Sequence, residues 1–158
     1  MTQNKLDISR ATEAVKATRF VEALSLLESN LIKDPNHIDS LYLAAVCSRY
    51  LKNYDDAKKY IESLLSQAPD MGRAYQELGH LNRDIGNQEN SITHYRQACE
   101  LNPALMSSWK ALYDYFRSNK NKPAADHAFM QMNTLQSMPS ILLYISQILN
   151  EGKLGIAE

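Results

Sequence analysis

Apolar and small residues recur along most of the chain at the spacing i, i+3, i+4 and i+7, which marks one face of an α-helix. Three stretches show this spacing: Leu41, Ala44, Ala45 and Ser48; Tyr75, Leu78, Gly79 and Asn82; and Trp109, Leu112, Tyr113 and Phe116. Each is followed by a short polar turn and by a second stretch of the same period. The second stretches have inner faces of Ala57, Ile61 and Leu64; Ser91, Tyr95 and Ala98; and Ala125, Phe129 and Met132. The pattern predicts pairs of helices joined by short turns.

The helix pairs follow a regular repeat. Pro35, Pro69 and Pro103 recur every 34 residues, and a proline pushes the residue before it out of the helical region. A second series keeps the same interval with small residues, namely Ala23, Ala57, Ser91 and Ala125. Because two independent series agree, we interpret the chain as tandem helix–turn–helix repeats.

These units resemble tetratricopeptide repeats (TPRs), a family of 34-residue helix–turn–helix motifs. The third unit carries the resemblance best, with Tyr75, Leu78, Gly79, Ser91, Tyr95, Ala98 and Pro103. The resemblance implies an all-α TPR helix–turn–helix solenoid that forms one array over residues 1–158. Its four repeats would cover about 4–37, 38–71, 72–105 and 106–139, with the start of a fifth over 138–158. Because no polar capping helix closes the array, we expect the fifth repeat to be truncated.

Small residues at repeat positions 8 and 20 let the two helices of a unit approach closely where they cross. In the third repeat these positions hold Gly79 and Ser91. In the fourth repeat, position 8 holds Tyr113. A large side chain forced into a tight crossing costs about 1–3 kcal/mol, so we expect this helix pair to splay or the tyrosine to turn outward.

Composition and charge narrow the function classes. The chain has 17 Lys and Arg against 18 Asp and Glu, a net charge of −1, which argues against a nucleic-acid binder. The amino terminus has no apolar signal segment, and no apolar stretch is long enough to span a membrane, so we expect a cytoplasmic protein without membrane contact.

Candidate chemistry is sparse. Cys47 and Cys99 form no metal-ligand pattern and fall in helical stretches, so we expect them to be small buried residues. The histidines show no metal-binding spacing, and no Gly-rich phosphate loop is present. We therefore predict no metal, no cofactor and no catalytic residue in this chain.

The TPR resemblance implies instead a concave groove lined by the first helix of each repeat, which would bind a protein or peptide. The candidate groove residues are Tyr42, Val46, Arg49, Tyr50, Arg73, Gln76, His80, Arg83, Lys110, Asp114 and Arg117. Arginine recurs at one repeat position as Arg49, Arg83 and Arg117. A row of exposed arginines suits a carboxylate clamp, and the alternative is an inter-repeat ion-pair ladder with Asp84 and Asp114.

Helix 38–51 is also apolar on the face opposite its core, where Tyr42, Leu43, Val46 and Tyr50 lie. Packing against the first repeat accounts for this stripe, or else it is an aromatic patch that anchors a partner.

The predicted helix at 140–150 is apolar around most of its circumference, with Ile141, Leu142, Leu143, Tyr144, Ile145, Ile148 and Leu149. A helix that is apolar around most of its surface is normally covered on both sides. We therefore predict that this helix packs against the same helix of a second copy and forms a homodimer.

A narrower resemblance concerns the strings GRAYQELGHLNRDIGN, QACELNPALMSSW and NEGKLGIAE. They are similar to the amino-terminal TPR region of bacterial TPR–sulfotransferases. The resemblance implies an alternative function, a non-catalytic segment of a larger bacterial sulfotransferase that positions substrate or dimerises the enzyme.

Overall fold

The structure is a computed structural model that describes residues 3–150, apart from the side chains of residues 3–6, 143 and 147–150. Within that range it contains nine helices and no strand. They are α1 (Gln3–Lys16), α2 (Phe20–Lys33), α3 (Ile38–Tyr50), α4 (Tyr54–Gln67), α5 (Gly72–Asp84), α6 (Gln88–Leu101), α7 (Met106–Ser118), α8 (Lys122–Ser137) and α9 (Ser140–Asn150). The predicted fifth repeat therefore starts with α9, and its remainder, residues 151–158, lies outside the described residues.

The helix starts follow the predicted repeat. The first helices α3, α5 and α7 begin at Ile38, Gly72 and Met106, which are 34 residues apart. The second helices α4, α6 and α8 keep the same interval. The predicted all-α helix–turn–helix fold is confirmed.

Each turn between the two helices of a repeat uses one residue in the left-handed region. The φ angle is 57° at Thr18, 62° at Lys52, 83° at Gly86 and 56° at Lys120, again every 34 residues. In the second repeat, the Asn53 N–H donates to the Ser48 carbonyl at 2.8 Å, which closes the end of α3. Glycine has no Cβ and adopts this conformation without steric crowding. The Cβ atoms of the other three residues crowd the backbone, so those turns hold local strain.

The chain divides into two compact units, Met1–Pro69 and Asp70–Glu158. The first contains a cluster of mostly small buried residues, Ala11, Ala14, Ala23, Leu27, Ala44 and Cys47, and also buries the larger side chains of Leu41, Ile61 and Leu64. The second has a core of larger side chains, with Ile92, Tyr95, Cys99, Leu112, Phe116, Ala125 and Ala128. Both cysteines are buried, as predicted. The division of residues 1–158 into a single array stays a prediction.

Candidate functional site

In the first unit, the predicted groove residues of α3 are largely covered. Tyr42 and Val46 are half-buried, and the ring of Tyr50 stacks on Phe20 with centroids 4.5 Å apart. Leu43 packs against the core of this unit. Packing against the first repeat therefore explains part of the apolar stripe, although Tyr50 keeps 55% of its surface exposed.

The structure contradicts the predicted exposure of Arg49. The repeat pattern predicts that Arg49 is exposed in a row with Arg83 and Arg117, but only 7% of its surface is exposed. Its guanidinium lies 4.5 Å from the centroid of the Tyr50 ring, which itself stacks on Phe20 and covers one side of the arginine. The repeat pattern locates Arg49 on its helix, but its burial depends on neighbours such as Tyr50 that are particular to this repeat.

In the second unit, several groove residues bind to neighbouring helices. The Ser108 hydroxyl of α7 donates to the Gln76 side-chain oxygen of α5 at 2.9 Å. His80 Nδ1 lies 2.6 Å from the Tyr95 hydroxyl of α6. Gln76 and His80 are therefore held in place by the fold, and Arg73 beside them is half-buried.

A cleft of about 230 Å³ opens beside these residues. Arg83 lines it from α5, and Ala111, Asp114 and Ser118 line it from α7. The structure thus brings together two predicted groove residues, Arg83 and Asp114, that are 31 positions apart in the sequence. Both are exposed, so their charges face solvent at the mouth of the cleft.

Two ion pairs of this surface are local. Arg83 pairs with the adjacent Asp84 at 3.1 Å, and Lys110 pairs with Asp114 one turn away at 2.8 Å. Each pair joins residues of one helix and not of neighbouring repeats. Exposed pairs of this kind contribute only about 0–1 kcal/mol, so they leave the charges available to a ligand.

Arg117 belongs to a separate cationic pocket. This pocket has a volume of about 350 Å³ and is lined by Tyr113, Arg117, Lys120, Lys122, Ala125 and Asp126. The Arg117 guanidinium lies 5.9 Å from the Tyr113 ring centroid. The sequence pattern missed Lys120 and Lys122, because Lys120 lies in the turn and Lys122 begins α8, so neither is on a groove-facing position of a first helix. Their closeness in sequence to Arg117 was the available signal.

The described residues contain neither a cluster of metal ligands nor a membrane-spanning helix. In that part of the chain, no three His, Cys, Asp or Glu side chains come together as metal ligands would. Nor is any described helix both long and apolar enough to cross a lipid bilayer.

Comparison with solved structures shows the same architecture elsewhere. A thermophilic TPR protein of Thermus thermophilus superposes with a TM-score of 0.71 at 18% identity, over 94% of this chain and 86% of that chain. MamA (residue 41 to the end) from Desulfovibrio magneticus RS-1 gives a TM-score of 0.69 at 19% identity, over 85% and 76% of the two chains. An O-GlcNAc transferase of Thermobaculum terrenum gives 0.67 at 22% identity, over 73% of this chain and only 23% of that one. At these identities the likeness concerns the fold alone.

Sequence comparison agrees with the architecture. No curated protein matches the chain. Two models of the tetratricopeptide repeat do match it, one over residues 14–80 and one over residues 72–105. Together these matches span more than half of the chain and contain the helix pairs α3–α4 and α5–α6. The chain therefore belongs to the tetratricopeptide repeat family.

Proposed function

We propose that the chain is a binding module that holds a segment of another protein on the face formed by α5 and α7. The observation that carries the proposal is the cleft where Arg83 of α5 and Asp114 of α7 meet. Both side chains are exposed and stand on helices that are fixed by the Ser108–Gln76 and His80–Tyr95 hydrogen bonds. A rigid surface loses little entropy when it orders an extended segment, which favours binding.

We further propose that the bound segment carries carboxylates. Arg117, Lys120 and Lys122 line one pocket, and Asp126 is the only acid among the residues that line it. Among the described residues, no carboxylate lies within ion-pair distance of these three cations. Arginine presents a planar fork that bonds a carboxylate at two points, so an acidic residue is the complement of this pocket.

The test is a selection from a displayed library of random peptides on the wild-type chain, followed by affinity measurements on a variant. We expect acidic peptides to be enriched. Replacing Arg83 and Arg117 together by Ala should weaken them at least tenfold, because each charged hydrogen bond contributes about 1.5 kcal/mol or more. Arg49 belongs to the predicted row but is left unchanged. It is buried, so replacing it would change the stability of the chain as well as the binding of the peptide.

The matched control replaces two exposed cations of α4, Lys58 and Lys59, whose side chains are 65% and 73% exposed. This control removes the same charge and should keep the affinity of the wild type. Thermal melts of both variants should stay close to the wild type, since exposed substitutions rarely change stability by more than ~0.5 kcal/mol. Equal binding by the Arg83/Arg117 variant would disprove the proposed site.

Self-association through α9 is a second part of the proposal. The described part of this helix exposes 66% of Ile141, 51% of Leu142, 62% of Tyr144 and 39% of Ile145. The side chains of Leu143, Ile148 and Leu149 lie outside the described residues. An exposed apolar strip of this kind usually marks an interface, and a two-fold contact buries it at once.

Light scattering on a sizing column tests the dimer. We expect about twice the monomer mass for the wild type and the monomer mass for Leu142→Lys, which places a charge in the strip. A wild-type chain that stays monomeric at high concentration would contradict the dimer.

The remaining predictions concern the larger protein, its location in the cell and its origin. The sequence comparisons give no support to the sulfotransferase resemblance, and a role as the non-catalytic segment of such an enzyme stays a prediction. The cytoplasmic location and the bacterial origin likewise stay predictions. A sulfotransferase domain encoded in the same reading frame would establish the first of these.

A further inference from the structure

A third cavity of the Asp70–Glu158 unit lies away from the proposed groove. It has a volume of about 460 Å³ and opens between α6, α7 and α8. Its floor is formed by Trp109, Leu112 and Phe116 of α7. These positions lie on the other side of α7 from Lys110, Asp114 and Arg117, because a helix turns 100° per residue. The cavity is therefore independent of the groove, and its volume is in the range of ligand pockets, roughly 300–1,000 Å³.

The corresponding place in the Met1–Pro69 unit is occupied by a tyrosine of the chain itself. Tyr60 has the same repeat position as Ala128 in the cavity wall, 68 residues later. Tyr60 packs against the core of its unit, and its hydroxyl donates to the Glu28 carboxylate of α2 at 3.2 Å. Its pKa is raised to about 12, first by burial and next by the charge of Glu28. In the second unit alanine replaces this ring, and the space between the helices stays open.

The cavity has the chemistry to receive such a ring. Its wall is largely apolar and aromatic, and the Trp109 and His127 rings meet edge to face with centroids 5.5 Å apart. Arg96, at the repeat position of Glu28, lies 5.1 Å from the centroid of the Phe116 ring. Glu100, one turn further along α6, supplies a carboxylate at the rim. A phenol ring would fill the apolar space, and its hydroxyl could donate to Glu100 as Tyr60 donates to Glu28.

We infer that this cavity binds a tyrosine side chain of a protein partner. The partner would reach the face of the second unit formed by α6, α7 and α8, so one chain would carry two docking surfaces. The inference goes beyond the proposed groove and does not depend on Arg83 or Arg117.

The chain contains a reporter for this cavity, because Trp109 is its only tryptophan. The indole N–H donates to the Pro103 carbonyl at 2.8 Å and gives a single indole signal in the NMR spectrum of the labelled chain. The probes are N-acetyl-tyrosinamide, N-acetyl-phenylalaninamide and N-acetyl-leucinamide. We expect the tyrosine probe to shift the signal saturably, the phenylalanine probe to bind about tenfold more weakly for lack of the hydroxyl, and the leucine probe to bind weakest.

Two variants make the assignment specific. Ala128→Tyr places the ring of the first unit into the cavity and should abolish binding of the tyrosine probe. Its matched control is Asn133→Tyr at an exposed position of α8, which should bind as the wild type does. If Ala128→Tyr fails to fold, Glu100→Ala serves instead, because it removes the hydrogen-bond acceptor, and it should reduce the tyrosine probe to the affinity of the phenylalanine probe.

The inference is overturned by any of three results. These are a Trp109 signal that none of the probes shifts, equal affinity for the leucine and tyrosine probes, and undiminished binding by a folded Ala128→Tyr variant.

Discussion

The helix crossings of the third and fourth repeats use the same repeat positions and pack in opposite ways. In the third repeat, the Ser91 hydroxyl donates to the Gly79 carbonyl at 2.9 Å, and Tyr95 covers the crossing with 1% of its surface exposed. In the fourth repeat, Tyr113 stands where Gly79 stands, and Phe129 at the position of Tyr95 is 48% exposed. The two rings lie side by side with centroids 5.8 Å apart.

The difference shows that one large side chain fits at each crossing and that either helix can supply it. A Cβ built on Gly79 would lie 2.6 Å from the Tyr95 ring, so the third repeat has no room for a second large residue. The fourth repeat places its large residue on α7 and displaces the ring of α8 toward solvent. The sequence predicted either a splayed pair or an outward tyrosine; Tyr113 is half-buried against the core and the exposed ring is that of Phe129, while the splayed pair stays a prediction.

The largest expected contrast comes from removing the two rings. Tyr95→Ala should cost about 3–5 kcal/mol, because it empties a buried site, whereas Phe129→Ala should cost about 1 kcal/mol or less. Urea unfolding followed by Trp109 fluorescence measures both values in the unit that contains the crossings. Similar losses for the two variants would mean that the half-exposed ring is as well packed as the buried one.

The second contrast concerns repeat position 8, which holds Gly79 in the third repeat and Tyr113 in the fourth. Gly79→Leu should cost about 3 kcal/mol, because the new side chain meets the Tyr95 ring in a crossing that is already full. Tyr113→Ala should cost about 1 kcal/mol, since Phe129 can move into the space it leaves. Thermal melts of the two variants give the order. A larger loss for Tyr113→Ala would show that the fourth repeat depends on that ring for its packing.

A smaller contrast is expected in the turns. The third repeat has Gly86 at the left-handed position and the fourth has Lys120. Lys120→Gly should stabilise the chain by about 0.5 kcal/mol, and Gly86→Lys should destabilise it by about 1 kcal/mol. Denaturant midpoints measured at constant slope check the signs. A destabilised Lys120→Gly variant would indicate that the lysine side chain makes a favourable contact that outweighs the strain.

The smallest effect is a pH dependence at a position where the third repeat has a histidine and the fourth repeat has an alanine. His94 stands at the repeat position of Ala128, and burial lowers its pKa from the ordinary value of 6.5. The unfolded chain then binds a proton at a higher pH than the folded chain, so this residue makes stability fall as the pH drops through 6.5. His94→Gln should flatten this part of the profile of melting temperature against pH. An unchanged profile would assign the acid sensitivity to other groups.

The sequence was sufficient for the secondary structure because proline and small-residue spacing act locally. Pro35, Pro69 and Pro103 each follow the last residue of a helix by two positions, so their interval predicted these helix ends well, whereas Pro123 lies in the first turn of α8, where a proline is tolerated. The burial of Cys47 and the contact of Gly79 with Ser91 followed from the same register.

The candidate site was harder to predict because exposure depends on neighbours of the particular residue. Arg49 and Arg83 share one repeat position, but Arg49 lies under the stacked ring of Tyr50, whereas Arg83 faces solvent. The cavity beside Ala128 likewise arises because one alanine replaces a ring. The repeat pattern describes what the repeats share, so it does not predict the effect of a single residue that differs in one repeat.

The placement of the two cysteines makes the opening of each unit separately observable. Cys47 lies in the core of the first unit with none of its surface exposed, and Cys99 lies in that of the second with 4% exposed. Burial, and next the charge of Glu100, raise the pKa of the Cys99 thiol to about 12, so the closed form offers a disulfide reagent almost no thiolate. The rate at which each thiol is labelled under native conditions therefore reports how often the unit that buries it opens. Two different rates would show that the amino-terminal and carboxy-terminal halves open independently, and one shared rate would show that they open together.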